Sequence, residues 1–419
     1  MLESDEAARR LGVKVTTLYA YVSRGLLTSH PAPSGRRSLF AADDVERLAR
    51  RSRQGKAVET RMATVTTGVT QLTDEGPVYG GRRATDLAVG STFEEVAGWL
   101  WADPEAPGTG PEPSERPEPG SWAALDLGPP PEMAASDRMR WVVVMAGARD
   151  RLRADLRRPV VTAKAARVAA SMVDALPRPD PAAGPRPEVA LVFPDGREMP
   201  DTLAARLTAR LSPAPDPPLV RLVNAALVLM ADHELATSTM AVRVAASTRA
   251  DLYDVLLAGL GTIAGPLHGG ASQQVTALLG EARLHGVERA VNDSLRWQGV
   301  LPGFGHSVYK HGDARCTVLL GLFEEMASPE DVELVRELVG LAADHDIPLP
   351  NVDLALASMA WATGMPPDAG RTLFTVARVA GWTAHYLEEL EERPLRYRAR
   401  AVYATPGRSG VAGSRSVPG

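Results

Sequence analysis

Residues 264–272 read Ala264-Gly265-Pro266-Leu267-His268-Gly269-Gly270-Ala271-Ser272. Before this stretch, residues 249–261 repeat apolar side chains at i, i+3 and i+4, and after it residues 271–283 do the same. Both patterns predict helices. Pro266 and the flanking glycines break the first, and Ser272 can help start the second. Glycines beside His268 let a ligand and the backbone approach closely. The local unit is therefore helix–loop–helix, with an imidazole placed at the break.

The same periodicity recurs outward over residues 137–155, 163–175, 219–232, 238–245, 331–345, 353–363 and 369–390. Ser91, with Glu94 three residues on, predicts a capping box opening a helix toward Trp101. Clear two-residue alternation is scarce. The predicted fold class is all-α, and large helical enzymes place their chemistry at helix ends and loops.

The chain has 419 residues, 45% hydrophobic and 23% charged, which suits a globular protein of two or three domains. The single cysteine, Cys316, excludes a disulfide framework and a cysteine-based zinc site. No apolar run approaches the roughly 18 residues of a membrane helix, and the start, MLESDEAARR, lacks a signal-peptide pattern. A cytoplasmic protein with no membrane partner is expected. The proline-rich residues 103–120, 176–189 and 212–218 read as surface loops or insertions, and the tail from Thr405 as disordered.

Charge is unevenly spread. The net value is −5, yet residues 1–56 carry +5 and the remainder −10. That split predicts a head and a body with different partners. In the head, Ser4 can cap a first short helix that Gly12 stops, and Thr16 a second that Gly25 ends. Two short helices around a tight turn make a helix-turn-helix. Gly35-Arg36-Arg37-Ser38 suits the tip of a small hairpin, or wing. This segment resembles the winged helix-turn-helix modules of excisionases and mercury-resistance-type regulators. The resemblance implies DNA as a partner: Thr16, Thr17, Tyr19 and Tyr21 would lie near the groove, and Arg24, Arg36 and Arg37 on phosphates. An appendage that only packs on the body or a partner remains the alternative.

Three histidines sit in loops of the body. His233 lies in Ala231-Asp232-His233-Glu234, ahead of a cap at Ser238-Thr239. His268 lies in the stretch quoted first. His306 lies in Pro302-Gly303-Phe304-Gly305-His306-Ser307, with Asp313-Ala314-Arg315 beyond. A fourth loop, Pro350-Asn351-Val352-Asp353, brings an acid. Taken singly, a loop histidine is usually structural. None of these pairs has the helical spacing of zinc motifs, so no metal is expected. A Gly-x-Ser-x-Gly elbow and a phosphate-binding glycine loop are both missing from the sequence. Together the loops suit carbon–carbon bond formation on an anionic substrate. A carboxylate removes a proton beside a carbonyl, neutral imidazoles donate to the oxygens involved, and arginines hold carboxylates.

These motifs, in this order and spacing, resemble the citrate synthase family over roughly residues 62–406. Ala245-Ala246-Ser247-Thr248 and Ala377-Arg378-Val379-Ala380-Gly381-Trp382 support the resemblance. It implies an all-α homodimer of a tricarboxylic acid cycle enzyme, joining acetyl-CoA to oxaloacetate and hydrolysing citryl-CoA to citrate. Propionyl-CoA, giving 2-methylcitrate, is the nearby alternative; a DNA-binding metabolite sensor on a synthase body is a third. By position, Asp353 would be the base, His268 the donor to the thioester oxygen, and His306 the group that activates the oxaloacetate carbonyl. His233, Arg315 and Arg378 would bind oxaloacetate and product, Arg398 would serve the other subunit's site, and Lys310 would touch CoA phosphate. No cofactor is implied beyond the acyl-CoA substrate. Expected domains are a winged head at 1–56, a large helical domain at 62–265 and 366–406, a small one at 266–365, and a tail at 407–419. The sequence departs from relatives at Ala236, Ser272, Ser307, Ala314 and Leu354-Ala355-Leu356; none of these removes a catalytic group.

Overall fold

The computed structural model describes residues 1–11, 13, 15, 18, 21, 22, 27, 29–31, 38–42, 44, 45, 65–103, 122–179, 189–265, 268 and 270–398. The chain forms two compact units, Met1–Thr66 and Thr67–Gly419. The tail at 407–419 and the cores of the first two proline-rich stretches lie outside the described residues.

The first unit has a helix α1 (Ser4–Leu11) and a three-stranded antiparallel sheet of β1 (Leu2–Glu3), β3 (Ser38–Phe40) and β2 (Ser29–Pro31), in that spatial order. Acidic Asp5 and Glu6 open α1, and Arg9 and Arg10 close it, as the helix dipole favours. Ser4 Oγ donates to Ser38 O at 3.4 Å, tying α1 to β3. Ala7, Ala8, Leu18, Leu27, Phe40 and Val45 form a small core of their own. The expected hairpin is present as β2–β3; its tip lies outside the described residues.

In the second unit, short strands β4 (Thr70–Thr73), β5 (Gly76–Tyr79) and β6 (Arg82–Arg83) form one antiparallel sheet, and β7 (Leu191–Val192) pairs with β8 (Glu198–Met199). The helices are α2 (Ala84–Gly90), α3 (Phe93–Trp101), α4 (Ala135–Arg149), α5 (Arg158–Asp174), α6 (Leu203–Leu211), α7 (Pro217–Leu229) and α8 (Thr237–Ser247). They continue as α9 (Leu252–Ile263), α10 (Ala271–His285), α11 (Val287–Gln298), α12 (Ala314–Met326), α13 (Pro329–Asp344), α14 (Val352–Ala362) and α15 (Ala369–Glu391). The unit is thus helical, as its periodicity predicts. Helices α2, α6, α11 and α12 and the small strands were not among the predicted elements. Helix α11 buries only Val287, Ala290, Val291 and Ser294, so its apolar stripe is thin.

Three capping expectations shift. The box that opens α3 is Thr92 with Glu95: Glu95 N donates to Thr92 Oγ1 at 3.1 Å and Thr92 N to Glu95 Oε2 at 2.7 Å. Ser91 and Glu94 instead serve distant segments, as Ser91 O accepts from Asn224 Nδ2 and Glu94 Oε1 from Leu203 N. Neither Ser272 nor Ser238 caps its helix; α10 and α8 start without a side-chain cap. The Ser238 hydroxyl instead meets His268 and Trp382, and Ser272 is buried.

Helix α15 is the hub. It packs on α3, α5, α7, α8, α9, α10 and α14, and its polar residues Arg378, His385 and Glu389 are buried beside its apolar ones. Helices α10 to α14 pack mainly on one another. Glycines permit close approaches to α15. A Cβ on Gly259 would meet the Trp382 ring at 2.9 Å. A Cβ on Gly381 would lie 2.6 Å from Ala231 O and closer still to the Asp232 carboxylate. Backbone cannot give way as a side chain can, so Gly381→Ala is expected to cost at least about 1–3 kcal/mol. A thermal melt reads it as a lower Tm, and an unchanged Tm would contradict the contact.

Candidate active site

His233, His268, His306, Asp353, Arg315 and Arg378 line one cavity of about 480 Å³, with Leu72, Leu235, Ala236, Val308 and Phe374 among its apolar walls. Each polar group arrives from a helix end or loop, except Arg378, which projects from within α15.

The His306 loop is stitched to the loop before Asp353. Gly305 N donates to Leu349 O at 2.8 Å, Asn351 N to Gly303 O at 2.8 Å and Asn351 Nδ2 to Gly305 O at 2.8 Å, around a bridge between Phe304 and Pro350. Gly303 takes φ of 84° and is hemmed in by Val275 and Leu354, so glycine is needed there. His306 Nδ1 accepts from the amides of Val308 at 3.0 Å and Tyr309 at 3.2 Å. Its proton therefore sits on Nε2. Burial, then Arg315, lowers the His306 pKa below its ordinary value, so the ring is neutral near pH 7. Arg315 Nη2 lies 3.5 Å from Nε2. Two donors cannot bond each other; an anionic oxygen can accept from both.

Asp313 organises this region. It grips Arg315 through Nε at 2.9 Å and Nη2 at 2.8 Å, and its Oδ2 accepts from Val352 N at 3.0 Å, fixing the start of α14. Burial alone would raise the Asp313 pKa, but Arg315 outweighs it and holds the carboxyl below its ordinary value. Arg315 is only 2% exposed and this pairing compensates its charge.

Asp353 sits one residue into α14, its amide bonded to Asn351 Oδ1 at 2.9 Å. Its pKa is raised to about 6. Burial is the main cause; Arg315 opposes it and Asp313 reinforces it.

His268 Nε2 is 2.9 Å from Ser238 Oγ, which also accepts from Trp382 Nε1 at 3.4 Å. Indole N–H only donates, so the buried hydroxyl proton is satisfied by donating to His268 Nε2. His268 then carries its proton on Nδ1. Burial, then Arg378, lowers its pKa. His233 stands edge-on to His306, centroids 5.5 Å apart, and its pKa is pushed well down by burial and then by Arg315 and Arg378. Arg378 is 1% exposed and lies over Phe374 at 4.6 Å. Its Nε and Nη1, and His233 Nε2, have no hydrogen-bond partner among the described residues. The cavity wall thus presents unengaged donors around neutral imidazoles, an arrangement that receives carboxylates.

Lys310 and Arg398 do not line this cavity. Lys310 is exposed, its Nζ donating to His306 O at 3.0 Å, and Arg398 is exposed. Among the described residues, no group of three or more metal-ligating side chains is placed to hold an ion, and no helix is long and apolar enough to cross a membrane. In the head, Tyr21 packs against the small core. Thr16, Thr17, Tyr19, Arg24, Arg36 and Arg37 lie outside the described residues. Sequence reasoning missed the roles of Ser238, taken for a cap, and of Asp313, noted only as part of a motif. The Asp-x-Arg spacing was the available signal for Asp313.

A family model described as "Citrate synthase, C-terminal domain" matches residues 56–400. The chain belongs to the citrate synthase family. A second model, "Helix-turn-helix domain", matches residues 1–53. This family member is 35% identical over 197 residues to "Citrate synthase 2" of Bacillus subtilis, covering 46% of this chain and 53% of that one. It is 36% identical over 189 residues to "2-methylcitrate synthase 2" of Corynebacterium glutamicum, covering 44% and 49%. The matched stretch spans about half the length of these relatives. Citrate synthase from the thermophilic archaeon Thermoplasma acidophilum, solved as a ternary complex with carboxymethyl coenzyme A and oxaloacetate, superposes with a TM-score of 0.63 at 26% identity. That match covers 85% of this chain and 97% of that one. The Pyrobaculum aerophilum enzyme, at 22% identity and a TM-score of 0.61 over 93% and 97%, shares the fold.

Proposed function

We propose that this chain condenses acetyl-CoA with oxaloacetate and hydrolyses the resulting citryl-CoA to citrate and CoA. One observation carries the reading: a carboxylate titrating near neutrality, two imidazoles of fixed tautomer and two buried arginines share one cavity. Asp353 takes a proton from the acetyl methyl group while His268 Nδ1–H donates to the thioester oxygen that becomes the enol. His306 Nε2–H and Arg315 bond the oxaloacetate ketone, drawing charge toward its oxygen. The methyl carbon then attacks that carbonyl carbon, a C–C bond forms, and the new alkoxide is protonated. Water then splits the thioester, releasing the CoA thiol. Arg378, Arg315 and His233 hold the carboxylates. Lys310 would meet CoA phosphate, and Arg398 would act in the partner's site of a cytoplasmic homodimer. No resident cofactor or metal is invoked.

A thiol-release assay with oxaloacetate and acetyl-CoA or propionyl-CoA tests this. CoA release is expected with acetyl-CoA; release with propionyl-CoA alone would move the reading to 2-methylcitrate. Absence of release with either ends it. Because Asp353 must be ionised, log kcat/KM is expected to fall by one per pH unit below about 6 and to level off above 7. Burial holds the pKa of all three histidines below the ordinary imidazole value. A profile flat from pH 5 to 8 would remove Asp353 as the base.

The helix-turn-helix match supports a second role for the head, binding DNA. Phosphate contacts make such binding salt-dependent. A gel shift at low salt that fades with added salt is the expected outcome; no shift at low salt assigns the head to packing alone.

A further inference from the structure

A chain of buried polar groups runs beneath the His233 loop. Arg243, in α8, is fully buried. Its Nε donates to Glu389 Oε2 at 3.0 Å and to Tyr397 OH at 3.2 Å, and its Nη1 donates to Glu388 Oε2 and to His385 Nδ1, the last at 2.7 Å. A guanidinium only donates, so His385 Nδ1 accepts and the ring proton lies on Nε2. His385 Nε2–H then donates to Asp232 Oδ2 at 3.2 Å. The same Oδ2 accepts from Glu234 N at 3.0 Å.

Asp232 and Glu234 flank His233. Glu234 has φ of 54°, a left-handed conformation that surrounding contacts must hold. One carboxylate therefore secures both neighbours of His233. The main chain of Asp232 is fixed as well, its N donating to the buried Tyr79 hydroxyl at 3.3 Å. Arg378, Gly381, His385 and Glu388 recur every three or four residues along α15, so they share one face of that helix. The face that presents Arg378 to the cavity also holds the loop that presents His233.

We infer that His385 is a positioning residue for the oxo-acid subsite, acting through Asp232 to hold His233 in register with Arg378. This rests on the proposed condensation with oxaloacetate. The acyl-CoA half of the site, around Asp353 and His268, is fixed by Asn351, Asp313 and Ser238 instead, so the effect is specific to one substrate.

Two polar replacements separate positioning from simple packing. In His385→Gln the longer amide can place N–H where Nε2–H was and keep the bond to Asp232. In His385→Asn the shorter amide can accept from Arg243 but cannot reach Asp232. His385→Asn is expected to raise the oxaloacetate KM about tenfold or more, with the acetyl-CoA KM within about twofold. His385→Gln is expected to stay within about threefold for both. Equal effects of the two variants, or equal effects on both substrates, would overturn the inference. Hydrogen exchange on the wild-type peptide containing residues 232–236 gives a reading independent of variant folding. Protection of the Glu234 amide is expected, and exchange at the rate of an open loop would overturn the inference too. Wild-type CoA release checks the condensation separately. Where it is absent, the contrast is read as oxaloacetate binding by calorimetry. No wild-type binding overturns both readings, whereas turnover with indistinguishable variants overturns only this one.

Discussion

Asp353→Asn is expected to lower turnover about 10²–10⁴-fold while raising the melting temperature at pH 7–8. The first effect is the loss of a general base. The second follows from the raised pKa. Folded Asp353 titrates at about 6, while an unfolded aspartate titrates near 3.9. At about pH 2–3 both states are protonated and the carboxyl costs the fold nothing. As pH rises through 4 to 6, the unfolded chain ionises first, and the fold loses on the order of 1–3 kcal/mol by pH 7. Asparagine never ionises, so the variant's Tm advantage should be a few degrees at pH 8 and vanish at about pH 2–3. Melting curves across that range, beside the thiol-release rate, check both effects. An inactive variant of lower Tm at pH 8 would show that burial does not raise this carboxyl.

Arg378→Met carries the second large effect. The guanidinium is buried, and neither Nε nor Nη1 has a partner among the described residues. Burial lowers its pKa, which measures how poorly the site hosts the cation without an anionic guest. Two charge-assisted bonds to a substrate carboxylate each contribute about 1.5–3 kcal/mol, so kcat/KM for oxaloacetate should fall about 10²–10⁴-fold. The apo protein should melt no lower than wild type, because methionine fills much of the space without a charge to desolvate. Oxaloacetate, which should raise the wild-type Tm by mass action, should no longer do so. Retained ligand stabilisation in the variant would exclude Arg378 from the carboxylate subsite.

Much of this was legible in the sequence, because helix period and loop chemistry are both local. The break at Pro266 stands out between two long 3.6-residue patterns and exposes His268, while His306 is marked by its own Gly303-Phe304-Gly305 loop. Asn351 and Asp353 were readable for the same reason. What escaped is non-local. Ser238 reads as a cap by its neighbours, yet it faces Trp382, 144 residues away, and His268. Ser91 and Glu94 read as a capping box, but Asn224 and Leu203 claim them from another part of the chain. His385 sits mid-helix, where its neighbours give no hint that it meets a loop 153 residues earlier. Helix α11 was lost for an opposite reason: its stripe of Val287, Ala290, Val291 and Ser294 is narrow and built partly of small residues.

The stitching of residues 303–305 to 349–351 bears on how such a site can change over generations. The amides and carbonyls that join the two loops leave no slack, so a substitution that moves His306 also moves the segment leading to Asp353. Neither loop can drift alone without dismantling the pair. Leu72, Leu235, Ala236 and Phe374 line the same cavity from segments outside that seam. A lineage that alters its substrates while keeping this reaction would therefore accumulate replacements on those apolar walls and leave the seam intact.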